Sequence, residues 1–214
     1  PREEGGWLLL PRRGRLLSTC HRIYAFSIAQ QRIQVLLFLT KAGLLQVSNA
    51  YLDPGAPFVR VSQIHVLSKV QLSMASAFIL GDFNFVHKDR DRLLLPTTTS
   101  SKPRWGQADT QESTTWVDQL STLIDLWQPD CTCMRSNRAT RLDRCYTNLP
   151  LAARLSSLLC ASAVLLPPSP PGIPPVSDHR PISIAARTTP RSPLRSKIPP
   201  WIVNHPKYAN QVLE

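Results

Sequence analysis

The chain has 214 residues, enough to bury the core of one domain with or without a tail. Its composition, 43% hydrophobic and 18% charged, is that of a globular chain and excludes a wholly disordered one. Lys and Arg total 25 against 14 Asp and Glu, and the resulting +11 is mostly arginine, which suits bidentate phosphate contacts and fits a coding bias equally well. The longest apolar run, Val35 to Leu39 with its flanks, is far short of the roughly 20 residues that span a bilayer, so no membrane partner is expected. The start at Pro1, without a basic-then-apolar leader, points to a piece of a longer reading frame. Five cysteines (Cys20, Cys131, Cys133, Cys145, Cys160) are an odd number without C-x-x-C spacing. Cys131-Thr-Cys133 is too tight for an ordinary zinc knuckle, and reduced thiols in a nuclear or cytoplasmic protein are the expectation.

In chain order, Arg32 to Thr40 and Leu44 to Leu52 are β-rich runs joined by Lys41-Ala42-Gly43, which predicts a hairpin. After the turn signature Asp53-Pro54-Gly55, the spacing of Val59, Val66, Val70 and Met74 predicts a helix with one apolar stripe. Ala77 to Leu80 reads as a short buried strand that stops at Gly81. From Thr115 a second helix is expected, with Val117, Leu120, Leu123 or Ile124, and Trp127 on one face and Pro129 ending it. Leu142 to Thr147, Ala161 to Leu166 and Pro181 to Ala186 read as strands, with a short helix over Leu151 to Leu159. This alternation predicts an α/β or α+β class. Pro167 to Pro175 must be an extended loop. Beyond Arg187 the basic, proline-rich sequence reads as a linker, so residues 1–187 form the expected domain and 188–214 its tail.

Three polar clusters stand where chemistry is expected. Gly81-Asp82-Phe83-Asn84 follows an apolar strand, a favoured position for a site. Asp82 and Asn84 would share a side if the strand geometry continued, although Gly-Asp-x-Asn is equally good turn chemistry. Ser177-Asp178-His179 offers a hard oxygen ligand beside a base that titrates near neutrality. Thr140-Arg141-Leu142-Asp143-Arg144 places Asp143 in a strand between two arginines, as a salt-bridged structural group or as the partner that orients a catalytic histidine. His87 and the alternating Lys88-Asp89-Arg90-Asp91-Arg92 read as a solvated, self-paired loop.

The order Asn49-Ala50-Tyr51-Leu52-Asp53-Pro54, then ILGDFN to Asn84, RLDR to Arg144 and SDHRPI to Ile182, resembles the endonuclease/exonuclease/phosphatase superfamily. It is most similar to the apurinic-endonuclease-like domain of non-LTR (LINE-type) retrotransposons. Asp125-Leu126-Trp127-Gln128-Pro129 with Thr132, and Ile198 to Pro206 (IPPWIVNHP), extend the likeness to that branch. The resemblance covers roughly Gly5 to Arg187.

The resemblance implies a two-sheet α/β sandwich, layered α-β-β-α as in DNase-like folds, and DNA hydrolysis assisted by Mg2+ or Mn2+. Tyr51 resembles the family's phosphate-contacting tyrosine and Asn49 the asparagine before it. Asp82 resembles the aspartate that activates water or protonates the leaving oxygen, and Asn84 the amide that holds the phosphate. Asp178 resembles a metal carboxylate, His179 the catalytic histidine and Asp143 its orienting partner. The family's Asn motif and metal-binding Glu motif precede a strand that Gly5 to Leu10 resembles, and neither is present; Glu3 and Glu4 lie too close to it to serve. The expectation is a domain missing its N-terminal strands, with an exposed edge and weak or no activity by itself. A reverse transcriptase downstream in the parent polyprotein is implied as a partner. The alternatives are a cellular apurinic-endonuclease-like phosphodiesterase and a degenerate remnant that binds nucleic acid without cutting.

Overall fold

A computed structural model describes residues 20–96, 102–128, 130–135, 137–157, 159–164 and 177–185. The Gly5 to Leu10 strand, Glu3 and Glu4, the Pro167 to Pro175 loop and the 188–214 tail lie outside the described residues. So does the end of the Ala161 to Leu166 run beyond Val164.

Strand β1 (Cys20–Ile28), which the sequence reading did not single out, pairs antiparallel with β2 (Ile33–Thr40). β2 and β3 (Gly43–Tyr51) make the expected hairpin, with Thr40 opposite Gly43 and Lys41-Ala42 as its turn. Gly43 closes the turn at φ +120°, where a side chain would be strained. Helix α1 (Pro57–Val70) then carries the chain to β4 (Ser76–Asp82), which lies parallel to β3 from Leu45/Ser76 to Tyr51/Asp82.

The core face of α1 is Arg60, Gln63, Ile64 and Leu67. It is displaced from the expected stripe: Val66 and Val70 are only partly buried, and Met74 is 92% exposed. Gln46 stops the helix short of Met74, donating from Nε2 to the Val70 carbonyl (3.1 Å) and accepting the Leu72 amide (3.0 Å). Helix α2 (Thr110–Leu120) starts and ends earlier than periodicity predicts. It buries Trp116 and Leu120 while Val117 is 54% exposed. Trp116 sets the rotation, because its ring packs 4.3 Å from Tyr146 and 5.2 Å from Phe83. Past the helix, β7 (Ile124–Asp125) pairs with β10 (Asp143–Thr147), and β10 runs antiparallel to β4.

Among the described residues the main sheet has the order β1-β2-β3-β4-β10-β7. Short strands β5 (Arg92–Leu94), β6 (Arg104–Trp105), β8 (Cys133–Arg135) and β9 (Arg138–Thr140) form a second sheet, in the order β6-β5-β9-β8. β11 (Cys160–Ala163) pairs with β12 (Ile182–Ala185), near the expected strands, and α3 (Leu151–Ser156) falls inside the expected short helix. The class is α/β with several sheets and few helices, as a DNase-like fold requires.

α1 and α2 cover one face of the main sheet, where Ile33, Val35, Ala50, Ile79 and Tyr146 meet Ile64, Leu67, Trp116 and Leu120. Each such fully buried side chain contributes about 1.5–3 kcal/mol. A buried Arg60–Glu112 ion pair (2.5 Å) ties the two helices together. On β3 the buried Gln46, Ser48 and Ala50 alternate with Asn49 and Tyr51, so the latter pair projects from the face away from the helices. At the outer strand Ile23 and Phe26 are 44% and 42% exposed.

Candidate active site

Backbone register lines up three of the sequence-selected residues. Tyr51 lies opposite Asp82 across β3 and β4, and Asp143 lies opposite Asp82 across β4 and β10. Facing residues project from the same side of a sheet, so Tyr51, Asp82 and Asp143 form one row, with Asn49 two residues back on the same face. Tyr51 is half-buried, and the Arg32 guanidinium stands 5.1 Å from its ring centroid.

Gly81 lets the row form. Its φ is +139°, and a Cβ there would fall 2.0 Å from the Ala50 carbonyl oxygen. The strand therefore runs through Gly81 to Asp82 rather than stopping at it. Phe83 is fully buried, edge-on to Trp116 and Tyr146, and anchors the chain ahead of Asn84. Asn84 turns the chain at φ +50°, donating its amide to Asp82 Oδ1 (3.0 Å) and its side-chain NH2 to the Leu52 carbonyl (2.9 Å). Asp82 and Asn84 thus do not project alike as a continuing strand would have them; the motif is a turn and a site at once.

Thr132 sets Asp143 in place. It is fully buried, and its Oγ1 accepts the amides of Leu142 (3.1 Å) and Asp143 (2.9 Å). Its carbonyl accepts the Arg180 amide (2.6 Å), and the Met134 amide donates to the Asp178 carbonyl (3.0 Å). Together with the Cys133/His179 bridge, these bonds bring His179 against the row. His179 Nδ1 is 2.9 Å from Asp143 Oδ2 and 3.8 Å from Asp82 Oδ2. The expectation that Asp143 meets a histidine is met. The arginines beside it turn elsewhere.

The electrostatics follow from this crowding. The hydrogen bond to Asp143, then that from Cys133, lift His179 to about 11 against the opposing effect of burial, so the ring is a cation at neutral pH. Burial, then the Asp143 charge, push Asp82 up to about 6, with His179 and the Asn84 amide pulling the other way. Asp178 is 48% exposed, with Oδ1 3.9 Å from His179 Nε2 and Oδ2 3.4 Å from Arg135 Nε.

Two groups of side chains place potential ligand atoms within 4.8 Å of one another: Asp82, Asp143 and His179, and Cys133, Asp178 and His179. A divalent cation fits here, since two carboxylates crowd each other and a third faces solvent. Magnesium is ordinarily held by one or two carboxylates with water completing the shell.

The sequence reading missed a second ionic cluster, and its expectation of a solvated 87–92 loop is wrong. Asp91 is completely buried and holds Arg141 Nε at 2.9 Å and Arg144 Nη2 at 3.7 Å. Arg141 also grips Asp125, and its guanidinium lies 4.1 Å over Trp127, with Arg90 at 4.0 Å from the same ring. Arg92 reaches Asp109 (3.0 Å) rather than a neighbour in its own run. His87 is half-buried and held down to about 4 by burial and by Arg144, so it is neutral at pH 7. These partners lie 16 to 53 residues apart, beyond any local pattern.

Residues 6–179 match the Endonuclease/Exonuclease/phosphatase family, and the chain belongs to it. Members of that family are typically hydrolytic nucleases or phosphatases that depend on a divalent metal. No curated protein sequence matches the chain. An AP endonuclease from Archaeoglobus fulgidus has a similar structure, with 15% identity, a TM-score of 0.51, and 77% of this chain and 70% of that one covered. The endonuclease domain of TRAS1, a telomere-specific non-LTR retrotransposon, is 17% identical over 78% of this chain and 68% of its own, with a TM-score of 0.48. The 3'-5' exonuclease NExo from Neisseria meningitidis is 15% identical over 71% of this chain, with a TM-score of 0.45; this chain spans 64% of its length. Among the described residues no helix is long and apolar enough to cross a membrane.

Proposed function

We propose that this chain is the phosphodiesterase part of a metal-dependent endonuclease that nicks DNA, of the kind carried by retroelements. The observation that carries the reading is the convergence of Asp82, Asp143 and His179 from three separate segments, with Nδ1 2.9 Å from Asp143 and 3.8 Å from Asp82. Asp143 fixes the imidazole and keeps it charged, which directs Nε2 to a phosphate oxygen. Asp82, poised near 6, takes a proton from the attacking water or gives one to the leaving oxygen. Asn84, Tyr51 and Asn49 position the phosphate from the Asp82 side. Asp178 is the carboxylate for Mg2+ or Mn2+, which when bound supplies positive charge to the phosphate.

The retroelement origin is supported by the Asp125-Leu126-Trp127-Gln128-Pro129 stretch and by the Ile198 to Pro206 segment, which resembles a lead into reverse transcriptase. A polymerase domain in the parent protein, a nuclear or cytoplasmic location and a domain ending near Arg187 belong to the same reading. Binding without cutting is the second reading, favoured by the engagement of Asp178 with Arg135 in place of another carboxylate. Supercoiled plasmid offered to the folded chain with magnesium or with chelator separates the two. Magnesium-dependent nicking lost in Asp82→Ala and His179→Ala supports the nuclease. Salt-sensitive binding with no nicking, indifferent to His179→Ala, supports the binder.

A further inference from the structure

We infer that Cys133, Asp178 and His179 form a binding site for a thiophilic transition-metal ion such as zinc, distinct in chemistry from the magnesium site although it shares Asp178. The three donors are a sulfur, an oxygen and an imidazole nitrogen, a set that zinc accepts and magnesium does not. Cys133 Sγ lies 3.7 Å from Asp178 Oδ2, and His179 Nε2 lies 3.9 Å from Asp178 Oδ1. Zinc–ligand bonds of about 2.0–2.3 Å in a tetrahedron place donor atoms roughly 3.3–3.7 Å apart, so a small rotation of the exposed Asp178 side chain closes the site.

The histidine is already prepared as a metal ligand. Its Nδ1 is held by Asp143 at 2.9 Å, the carboxylate–histidine arrangement that fixes the ring and directs the other nitrogen at a metal. Backbone pairing fixes the rest, because Cys133 and His179 face each other across an isolated bridge and the Met134 amide holds the Asp178 carbonyl. Cys133 itself is only 1% exposed, so the ion enters from the Asp178 side, where the fourth position falls to water. The Cys133 thiol proton passes to solvent as the sulfur takes the ion, and any proton on Nε2 follows. Arg135, half exposed beside Oδ2, stays as an outer partner of the carboxylate. Sequence spacing hides the site, since Cys133 and Asp178 are 45 residues apart. Its consequence for activity rests on the nuclease reading: an ion there occupies Nε2 and Asp178, and nicking stops.

Cobalt(II), a spectroscopic stand-in for zinc, titrated into the magnesium-free full chain tests the site without any assay of cutting. The expected result is thiolate-to-cobalt charge-transfer absorption complete at one equivalent and discharged by zinc. Cys133→Ser should abolish it, Asp143→Asn should weaken binding about 10–100-fold, and Cys131→Ser and Cys160→Ser should leave it intact. No thiolate band in the folded chain, or a band that survives Cys133→Ser, overturns the site. Zinc added to magnesium-dependent nicking should stop the parent and spare Cys133→Ser. A chain that takes cobalt through Cys133 and never nicks keeps the metal site and sinks the nuclease reading; a chain that nicks and shows no thiolate band does the reverse.

Discussion

Four consecutive residues, Arg141 to Arg144, serve two ionic clusters of opposite character. Asp143 faces the half-open row with Asp82 and His179, where carboxylates outnumber cations and Asp82 is pushed up to about 6. Arg141 and Arg144 face a closed cluster in which two guanidiniums meet Asp91 and Asp125. The closed cluster is matched in charge and rich in hydrogen bonds, which a buried ion pair requires to persist. The open one is left short of positive charge, which suits a site that must attract a cation and a phosphate. One strand start thus fixes a rigid ionic core and a reactive edge within four residues.

Breaking the closed cluster should have the largest effect. Asp91→Ala strands Arg141 and Arg144 in a dry interior and is expected to cost about 3–5 kcal/mol, read as a lowered urea midpoint. An unchanged midpoint would show that Asp125 alone neutralises both arginines. The open cluster should respond with the opposite sign. Folded Asp82 keeps its proton up to about pH 6, whereas the unfolded chain loses it near 3.8, so stability falls as pH rises through that window. Asp82→Asn, at a side chain only 14% exposed, should therefore stabilise the metal-free chain by about 2–3 kcal/mol at pH 7 and by almost nothing at pH 3.5. A parallel shift at both pH values would contradict the origin of the effect.

Thr132 sits between the clusters, and Thr132→Val leaves two amides without their acceptor. A loss of about 1–3 kcal/mol is expected in urea, together with slower nicking. Smallest of all, Val117→Ala should change stability by less than about 0.5 kcal/mol, because Val117 points to solvent where periodicity placed it in the core.

What the sequence disclosed depends on the range of its signals. The β2–β3 hairpin, β4, β10 and the two principal helices are local patterns and were readable, as were Asp82, Asn84, Asp143, Asp178 and His179 through ordered motifs. The helix faces were misread because the partners that set their rotation, Trp116 against Tyr146 and Gln46 at the end of α1, act across the fold. Strands of two or three residues such as β6 and β7 leave no periodicity to detect. The Asp91 cluster looked like a solvated charge run because alternating charges are usually exposed, and only its arginine partners on the 141–144 segment bury it. Register, which no single segment contains, set Tyr51, Asp82 and Asp143 in one row.

The division of labour between the two clusters is tested most directly by the nicking rate of Asp143→Asn, measured in magnesium on a chain shown to be folded. The amide preserves shape and removes the charge that holds His179 as a cation, so the rate should fall about 10²–10⁴-fold while the urea midpoint moves far less than in Asp91→Ala. A folded Asp143→Asn chain that nicks at the parent rate would contradict the assignment of the Asp82, Asp143 and His179 row as the reactive site.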